Sequence, residues 1–471
     1  MGCMAWYCIV MEIPLEDMEV CLRVLHKVAN SYGTITRSIE FNSLVSKVYR
    51  EGKRYDLIYK RNVLKAEDRA LQATTSMVKI QRDALPAAAA LPDAMNGTAR
   101  RLNKPEACYI CKEDYTELHF FYHLLCPKCA ELNYRMRHLA ADLTGRTAVV
   151  TGGRVKIGHQ IVLRMLRDGA KVIVTTRFPH AAAKRLQAEP GSEEWADRLE
   201  IHGLDLRNIP AVESFADYLL KTEPAIDILI HNAAQTIRRP NGFYRELVAQ
   251  EQLPRETLPL EAIRLVKNGA PSTLAISEGS VSLPALSTEI LDIPPTDSRE
   301  DNEERADSRD VNSWLLRLNE VSALEMLEVQ LVNSVAPFLL NSRLKSLLMR
   351  SKFERRFIVN VSAMEGQFSR NKTVYHPHTN MAKAALNMMT RTSGDDYAKD
   401  GIYMNSVDTG WVTDENPTPK RARVQSENAF YPPLDIIDGM ARIYHPIAEG
   451  INNPEEPLFG LFLKDYASCR W

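Results

Sequence analysis

The chain has 471 residues, of which 45% are hydrophobic and 25% charged, a composition typical of globular proteins with room for two or three domains. The formal net charge is −1, so the bulk charge argues against a nucleic-acid or membrane partner. No apolar run approaches the length of a membrane span, and residues 1–6 lack the basic start of a signal peptide.

The first part of the chain is predicted to be helical. Apolar residues recur near one face between residues 20 and 28, which is the spacing of an amphipathic helix. We assign residues 1–85 to a helical extension whose role the sequence does not indicate. An alanine- and proline-rich stretch follows, and we assign residues 86–104 to a linker.

Four cysteines follow in two close pairs with the spacing C-x2-C-x14-C-x2-C, namely Cys108, Cys111, Cys126 and Cys129. Four thiolates in this arrangement can surround Zn²⁺ tetrahedrally and leave no open coordination position. We therefore predict a structural zinc module over residues 105–138. The alternatives are buried cysteines or two disulfides, and His119 or His123, between the pairs, could replace a cysteine ligand.

The remaining residues of this module bear on its partners and its location. Basic and acidic side chains are interleaved in it, which is not the footprint of a nucleic-acid-binding surface. We predict a structural role or a contact with a protein partner. Cysteines kept for a metal indicate a reducing compartment, so we predict a cytoplasmic protein, with the nucleus as the alternative.

A glycine-rich turn comes directly after a short apolar strand at residues 148–150 and opens a helical pattern. Backbone N–H groups and the helix dipole can face a pyrophosphate at such a turn. We assign cofactor binding to five residues of the turn: Gly152, Arg154, Lys156, Ile157 and Gly158.

The next predicted strand, residues 171–176, ends in Arg177. A cation at this place can pair with a ribose 2′-phosphate, whereas an acid would bind the 2′-hydroxyl. Arg154, Lys156 and Arg177 would then form a cationic rim, which favours NADP(H) over NAD(H). The alternative interpretation is a solvated basic loop.

These and later residues resemble the short-chain dehydrogenase/reductase (SDR) family over roughly residues 142–466. The family's opening motif T-G-x-x-x-G-x-G is similar to residues 151–158, its Asp-Leu pair to Asp205-Leu206, and its N-N-A-G to residues 231–234. Its later motifs are similar to Asn333, to residues 360–362, to Lys383 and to residues 408–413.

The resemblance implies the fold and further cofactor contacts. The implied fold class is α/β, with a doubly wound parallel-sheet Rossmann-type domain over residues 142–471. The implied cofactor contacts beyond the glycine-rich turn are Asp205, Leu206, Asn232, Ala233, Lys383, Thr409 and Gly410. Lys156 stands where the family usually has its middle glycine, and in this it is similar to pteridine-reductase relatives, which use NADPH. The resemblance also implies a homo-oligomer.

The family's catalytic set of Asn, Ser, Tyr and Lys is only partly present. Asn333 and Lys383 match it. Thr379 stands four residues before Lys383, where the family has its tyrosine general acid/base, and Ala363 takes the place of the serine. A threonine hydroxyl does not titrate near neutrality and is too short to replace a phenol.

We therefore predict a non-standard catalytic centre that consists of Asn333, Ser362, Tyr375 and Lys383. Ser362 would serve only if its loop shifted by one residue, because neighbours on a strand point to opposite faces. Tyr375 precedes Pro377, which places it before the helix. The alternative proton-transfer groups are His376, His378 and Glu365.

An insertion around residues 240–315 separates two of the family's motifs. We predict helices within residues 242–266, beside the substrate pocket, as a lid or a partner surface. The acid-rich run at residues 297–310 is predicted to be solvated.

Two functions from different classes fit these features. The first is an NADP(H)-dependent oxidoreductase that acts on an unidentified carbonyl or alcohol. The second is an NADP(H)-binding pseudoenzyme that serves as an interaction scaffold. The first keeps the family's chemistry, whereas the second accounts for the missing tyrosine.

Overall fold

The computed structural model describes residues 14–31, 39–83, 100–240, 242–267, 309–369 and 371–471. These residues fall into two compact units, one that ends at Glu67 and one that runs from Asp68 to Trp471. Most of the predicted linker and of the acid-rich run lies outside the described residues.

The first unit is helical, as predicted. Helix α1 spans Leu15–Asn30, and helix α2, Ile39–Gln72, begins in this unit. Many apolar side chains of both helices are exposed.

The second unit begins with the cysteine module. Its elements are helix α3 (Ser76–Arg82), the antiparallel strands β1 (Arg101–Ala107) and β2 (Asp114–Glu117), and helix α4 (Pro127–Met136). Met77 and Ile80 of α3 are buried in the module's core. The carboxylate of Asp68 accepts the N–H of Asn103 at 2.6 Å. Residues 68–83 therefore belong with the module, and the predicted boundaries at residues 85 and 105 are corrected.

An eight-stranded sheet forms the centre of this unit. Its strands are β3 (Thr147–Thr151), β4 (Lys171–Thr176), β5 (Leu199–Gly203), β6 (Ile228–His231), β7 (Arg356–Ser362), β8 (Ile402–Asp408), β9 (Phe462–Lys464) and β10 (Ala467–Cys469). Their order is β10-β9-β8-β7-β6-β3-β4-β5. The pairs from β9 to β5 are parallel, and β10 is antiparallel to β9. Short runs rich in valine and isoleucine suit strands that are covered on both faces.

Helices cover both faces of the sheet. They are α5 (Lys156–Arg167), α6 (Pro179–Gln187), α7 (Ile209–Thr222), α8 (Arg245–Gln252), α9 (Leu260–Leu265), α10 (Ala323–Gln330), α11 (Ala336–Met349), α12 (Pro377–Lys399), α13 (Thr418–Asn428) and α14 (Ile436–Asn452). One hydrophobic core joins α5 and α14 to the sheet, and a second joins α7 and α11 to it. This is the predicted doubly wound α/β fold.

One helical segment of the described residues, Ala323–Met349, is long and apolar enough to cross a membrane by length and composition alone. This corrects the expectation that no apolar run approaches that length. Leu340, Leu344 and Leu347 in this segment are fully buried in the second core. Packing against the sheet accounts for the segment's apolar character.

Buried charges join the cysteine module to α14. The guanidinium of Arg137, just after α4, donates to both carboxylate oxygens of Asp435 at 2.7 and 2.9 Å, and it lies 3.1 Å from Asp438. Arg442 donates to Asn133 of α4 at 2.7 Å. The Tyr122 hydroxyl donates to Asp438 at 2.6 Å. All six of these side chains are buried, so the module and the Rossmann domain share an interior.

We expect the Arg137→Ala variant to lose about 3–5 kcal/mol of unfolding free energy, because it leaves two buried carboxylates without their cation. Urea unfolding monitored by circular dichroism measures this loss. Arg135→Ala is the matched control, since Arg135 lies in the last turn of α4, two residues before Arg137, and is exposed. Equal losses in the two variants would contradict the prediction.

Candidate nucleotide-binding site

A cavity of about 1350 Å³ lies at the carboxyl ends of the parallel strands. Side chains that follow β3, β4, β5, β6, β7 and β8 line it. In open α/β sheets this edge is where ligands bind. All thirteen residues that the sequence assigns to the cofactor line this one cavity: Gly152, Arg154, Lys156, Ile157, Gly158, Arg177, Asp205, Leu206, Asn232, Ala233, Lys383, Thr409 and Gly410.

The glycine-rich turn leaves room for a ligand by excluding side chains. Gly152 has a φ of +73°, and a Cβ on it would lie 2.9 Å from Ala233. A Cβ on Gly158 would lie 2.1 Å from the carbonyl oxygen of Gly152. Lys156 has a φ of +54°, a left-handed conformation that favours glycine. The turn thus holds a conformation that favours glycine while carrying a cation.

Polar side chains fix this turn from the neighbouring strand. The Asn232 side chain donates to the carbonyl oxygens of Thr151 and Gly152 at 3.3 and 3.0 Å. The N–H of Ala233 donates to the Thr151 hydroxyl at 3.1 Å. These bonds tie β6 to the turn after β3, so the backbone that would face a pyrophosphate is preorganised.

The three cations of the predicted rim lie around the same end of the cavity. Arg177 follows β4, and its guanidinium lies 4.5 Å from the ring centroid of Tyr244. The guanidinium groups of Arg154 and Arg177 each lie 5.2 Å from the ring of Phe178. Arg154, Lys156 and Arg177 all line the cavity. A cation–π contact positions the Arg177 guanidinium without neutralising its charge.

Asp205 lines the cavity but is held in an ion pair. Arg207 donates to its two carboxylate oxygens at 3.0 and 2.6 Å. Burial raises the pKa of Asp205, and Arg207 more than offsets this, so the pKa lies below its usual value. Arg207 also contacts Glu328 at 3.2 Å, and Glu328 contacts Arg238 at 3.1 Å. The Asp-x-Arg spacing of Asp205 and Arg207 is the one local sequence signal for this network, which was not predicted.

Lys383 is the buried cation at the opposite end of the cavity. Its Nζ donates to the carbonyl oxygen of Val361 at 2.8 Å. Burial lowers the pKa of Lys383 to about 8, against the opposing effects of Glu365 and Asp408. Thr379 lies one turn earlier on α12 and also lines the cavity. Among the described residues, the Thr379 hydroxyl has no hydrogen-bond partner.

Of the four predicted catalytic residues, Lys383 and Ser362 line the cavity, whereas Asn333 and Tyr375 are not among its described lining residues. The Ser362 hydroxyl donates to Asn387 at 2.5 Å, so its proton is directed away from a ligand. Asn333 lies in a π-helical turn, Leu331–Val335, and exchanges two hydrogen bonds with the backbone of Gln235. It therefore positions the loop after β6.

Of the alternative proton-transfer groups, too, only some line the cavity. Glu365 lines the cavity, whereas His376 and His378 are not among the described residues that do. The His376 ring stacks on Trp314 with centroids 3.9 Å apart, and its Nδ1 lies 2.9 Å from the Trp314 carbonyl oxygen. Burial lowers the pKa of His376. The His378 ring is buried, 3.5 Å from Glu325. Both histidines are thus engaged in packing around the start of α12.

The described part of the insertion lies beside the end of the cavity that holds Arg177. Its helices α8 and α9 pack against α6. The Glu251 carboxylate accepts the N–H groups of His180 and Ala181, each at 2.9 Å. Tyr244 and Arg245 line the cavity near Arg177. The prediction of helices is confirmed, and the helices lie beside β4 and β5. Just after α9, the Lys267 N–H donates to the carbonyl oxygen of Ile201 in β5 at 3.0 Å.

The four predicted metal ligands come together. The Sγ atoms of Cys108, Cys111, Cys126 and Cys129 all lie within 4.8 Å of one another. The distance between Cys111 and Cys126 is 3.7 Å, which matches the edge of about 3.8 Å in a tetrahedron with Zn–S bonds of about 2.3 Å. The residues therefore fit a zinc ion with four thiolate ligands.

The two nearby histidines have other partners. His119 Nδ1 accepts the N–H of Phe121 at 3.1 Å, and His123 Nε2 lies 3.2 Å from the carbonyl oxygen of Tyr431. Neither histidine belongs to the cluster found among the described residues. The structure thus favours the four-cysteine set over a histidine substitute.

The fold defines a Rossmann-type protein with a cavity at the carboxyl ends of its parallel strands. Residues 146–252 match the family model described as short chain dehydrogenase, and residues 314–431 match that described as enoyl-(acyl carrier protein) reductase. The chain belongs to the short-chain dehydrogenase/reductase family.

Individual relatives differ in how much of the chain they cover. The uncharacterized protein R665 of Acanthamoeba polyphaga mimivirus is 34% identical over 359 residues, which is 72% of this chain and 71% of that protein. Dehydrogenase/reductase SDR family member 13 of Bos taurus is 39% identical over 117 residues, 24% of this chain and 28% of that protein.

Solved structures show similarity at lower identity. The RhlG/NADP active-site complex of Pseudomonas aeruginosa is 16% identical, with 69% of this chain and 96% of that chain covered and a TM-score of 0.42. A short-chain dehydrogenase from Streptomyces avermitilis is 18% identical, with 68% and 88% covered and a TM-score of 0.42.

Proposed function

We propose that the chain binds NADP(H) in this cavity and acts as an oxidoreductase on a carbonyl or alcohol. The observation that carries the proposal is the cationic rim. Arg177 follows β4, where it can meet a ribose 2′-phosphate, and Arg154 and Lys156 flank the glycine-rich turn. The residues fit the cofactor because Gly152 and Gly158 clear the space that a pyrophosphate would occupy.

A bound nicotinamide would supply the hydride, and the chain would supply binding, orientation and a proton. We assign the proton to Lys383, because it lines the cavity and burial lowers its pKa to about 8. A group with a pKa close to the working pH can both give and take a proton. The geometry gives less support to Ser362, whose hydroxyl is bound to Asn387, and to Tyr375, which is outside the described lining.

The second candidate is an NADP(H)-binding scaffold without turnover. Thr379 supports it, because it takes the sequence position of the family's tyrosine and its hydroxyl has no hydrogen-bond partner among the described residues. In this case the bound nucleotide would stabilise the domain by mass action alone. A homo-oligomer, a protein partner of the module and a reducing compartment remain predictions under either function.

We expect the Arg177→Ala variant to bind NADPH about 10- to 150-fold more weakly, because a charge-assisted phosphate contact contributes about 1.5–3 kcal/mol. Its affinity for NADH should stay unchanged. Calorimetric titration measures both constants. Lys184→Ala is the matched control, since Lys184 is an exposed cation on the helix that follows. Equal weakening for the two nucleotides would argue against a 2′-phosphate contact.

A further inference from the structure

The turn between the first two cysteines forms part of the cavity wall. Tyr109 and Ile110, which lie between Cys108 and Cys111, line the same cavity as the glycine-rich turn, and so does Lys112. The Tyr109 hydroxyl accepts the N–H of Trp411 at 2.9 Å. The Nζ of Lys464, at the end of β9, lies 5.6 Å from the centre of the Tyr109 ring.

This contact lies at the end of the cavity that holds Lys383. Trp411 is three residues beyond Asp408, the last residue of β8, and Asp408 pairs with Ser362 of β7. The Nζ of Lys383 is hydrogen-bonded to the carbonyl oxygen of Val361, the residue before Ser362. Arg177 follows β4, which is four strand positions away from β8, or about 19 Å at a spacing of about 4.8 Å. If NADP(H) binds with its 2′-phosphate at Arg177, Tyr109 therefore lies at the end of the cavity that would hold the nicotinamide.

The position of Tyr109 depends on the cysteine cluster. The N–H of Tyr109 donates to the carbonyl oxygen of Leu124 at 2.9 Å, and the N–H of Cys126 donates to the Cys108 sulfur at 3.3 Å. Cys108 and Cys111 bracket the turn, so a metal bound by the four thiolates would fix both of its ends. Without the metal, no bond would hold the four thiols together.

We propose that the cysteine module is part of the nucleotide site. Tyr109 and Ile110 contact the nicotinamide half of the cofactor, and metal occupancy of the module is thermodynamically linked to binding of that half. The proposal rests on NADP(H) being the ligand of this cavity. By linkage, the nucleotide must then stabilise the metal site to the same degree that the metal strengthens nucleotide binding.

The test compares two probes, NADPH and 2′,5′-ADP, which carries the adenosine and the 2′-phosphate but no nicotinamide. We expect Tyr109→Ala to weaken NADPH binding about tenfold, the scale of one aromatic contact, and to leave 2′,5′-ADP binding within about twofold. Tyr109→Phe, which keeps the ring, should fall between Tyr109→Ala and the unmodified protein. Arg177→Ala is the matched control and should weaken both probes.

A second measurement follows the metal. The rate at which zinc passes from the full-length protein to a chromogenic chelator should fall several-fold in saturating NADPH and stay unchanged in 2′,5′-ADP. This readout requires no catalytic activity. It also remains decisive if Tyr109→Ala fails to fold, because it uses the unmodified protein.

Four outcomes would overturn the proposal. If Tyr109→Ala weakens both probes equally, Tyr109 only supports the fold. If it weakens neither, and NADPH leaves zinc release unchanged, the module is independent of the site. If the unmodified protein binds neither probe, the proposed function fails and takes this inference with it. If the unmodified protein binds both probes but NADPH does not slow zinc release, this inference fails while the proposed function stands.

Discussion

Protein purified under reducing conditions is expected to carry about one Zn²⁺ per chain, and the Cys126→Ser variant is expected to lose it. The apparent free energy of zinc binding in four-ligand modules is about 10–16 kcal/mol near neutral pH, and it is also folding free energy. Cys126 is buried in the module's core together with Tyr115, Tyr122 and Leu125. Loss of the metal should therefore unfold residues 100–138 and reduce solubility.

Elemental analysis of the purified protein measures the metal, and proteolysis measures the unfolding. Cys21→Ser is the control, because Cys21 is an exposed thiol in the first unit. It should keep the metal and the resistance to protease. A folded, reduced sample without zinc would refute the prediction.

The Thr379→Tyr variant is expected to create carbonyl reduction or to raise it by about 10²–10⁴-fold, the usual contribution of a positioned general acid/base. The new phenol would stand one helical turn before Lys383, within the cavity that Thr379 already lines. A cation at that separation lies on the same face of the helix and favours the phenolate. NADPH oxidation with a panel of aldehydes and ketones measures the effect.

Met381→Tyr is the matched control, since it places a phenol on the same helix at a side chain that is 51% exposed. It should leave the rate unchanged. A gain in Thr379→Tyr over an inactive natural protein would favour the scaffold. If the unmodified protein already reduces a carbonyl and Lys383→Gln stops it without loss of NADPH binding, the scaffold fails. An unchanged rate in Thr379→Tyr would contradict the assignment of Thr379 to the tyrosine position.

The sequence predicted those parts of the fold that local patterns encode. The run at residues 148–150 is a fully buried strand, and the turn at Gly152 has the left-handed backbone that its glycine suggested. Cys108, Cys111, Cys126 and Cys129 meet as their spacing indicated. The last parallel strand is short, because the chain reverses after Lys464 and returns as β10.

The parts of the site that the sequence did not predict are those that depend on distant partners. The Ser362 hydroxyl is hydrogen-bonded to Asn387. The Tyr109 hydroxyl is hydrogen-bonded to the N–H of Trp411, which is 302 residues away in the sequence. The helices of the insertion lie beside Arg177, where the Glu251 carboxylate accepts backbone N–H groups at the start of α6. No periodicity or spacing along the chain encodes contacts of this kind, since they arise only when the sheet assembles.

The buried ion pair between Arg137 and Asp435 joins residues that are 298 positions apart in the sequence. It can therefore form only late in synthesis of the chain, after the cysteine module has been made. At about 5–20 residues per second, the ribosome needs about 15–60 seconds to reach Asp435 after it has made Arg137. During that interval the thiols of the cysteine module emerge before the carboxylates that complete its interior. A nascent chain stalled between residues 140 and 430 should therefore bind zinc yet leave the module sensitive to protease, and release of the stall should protect it.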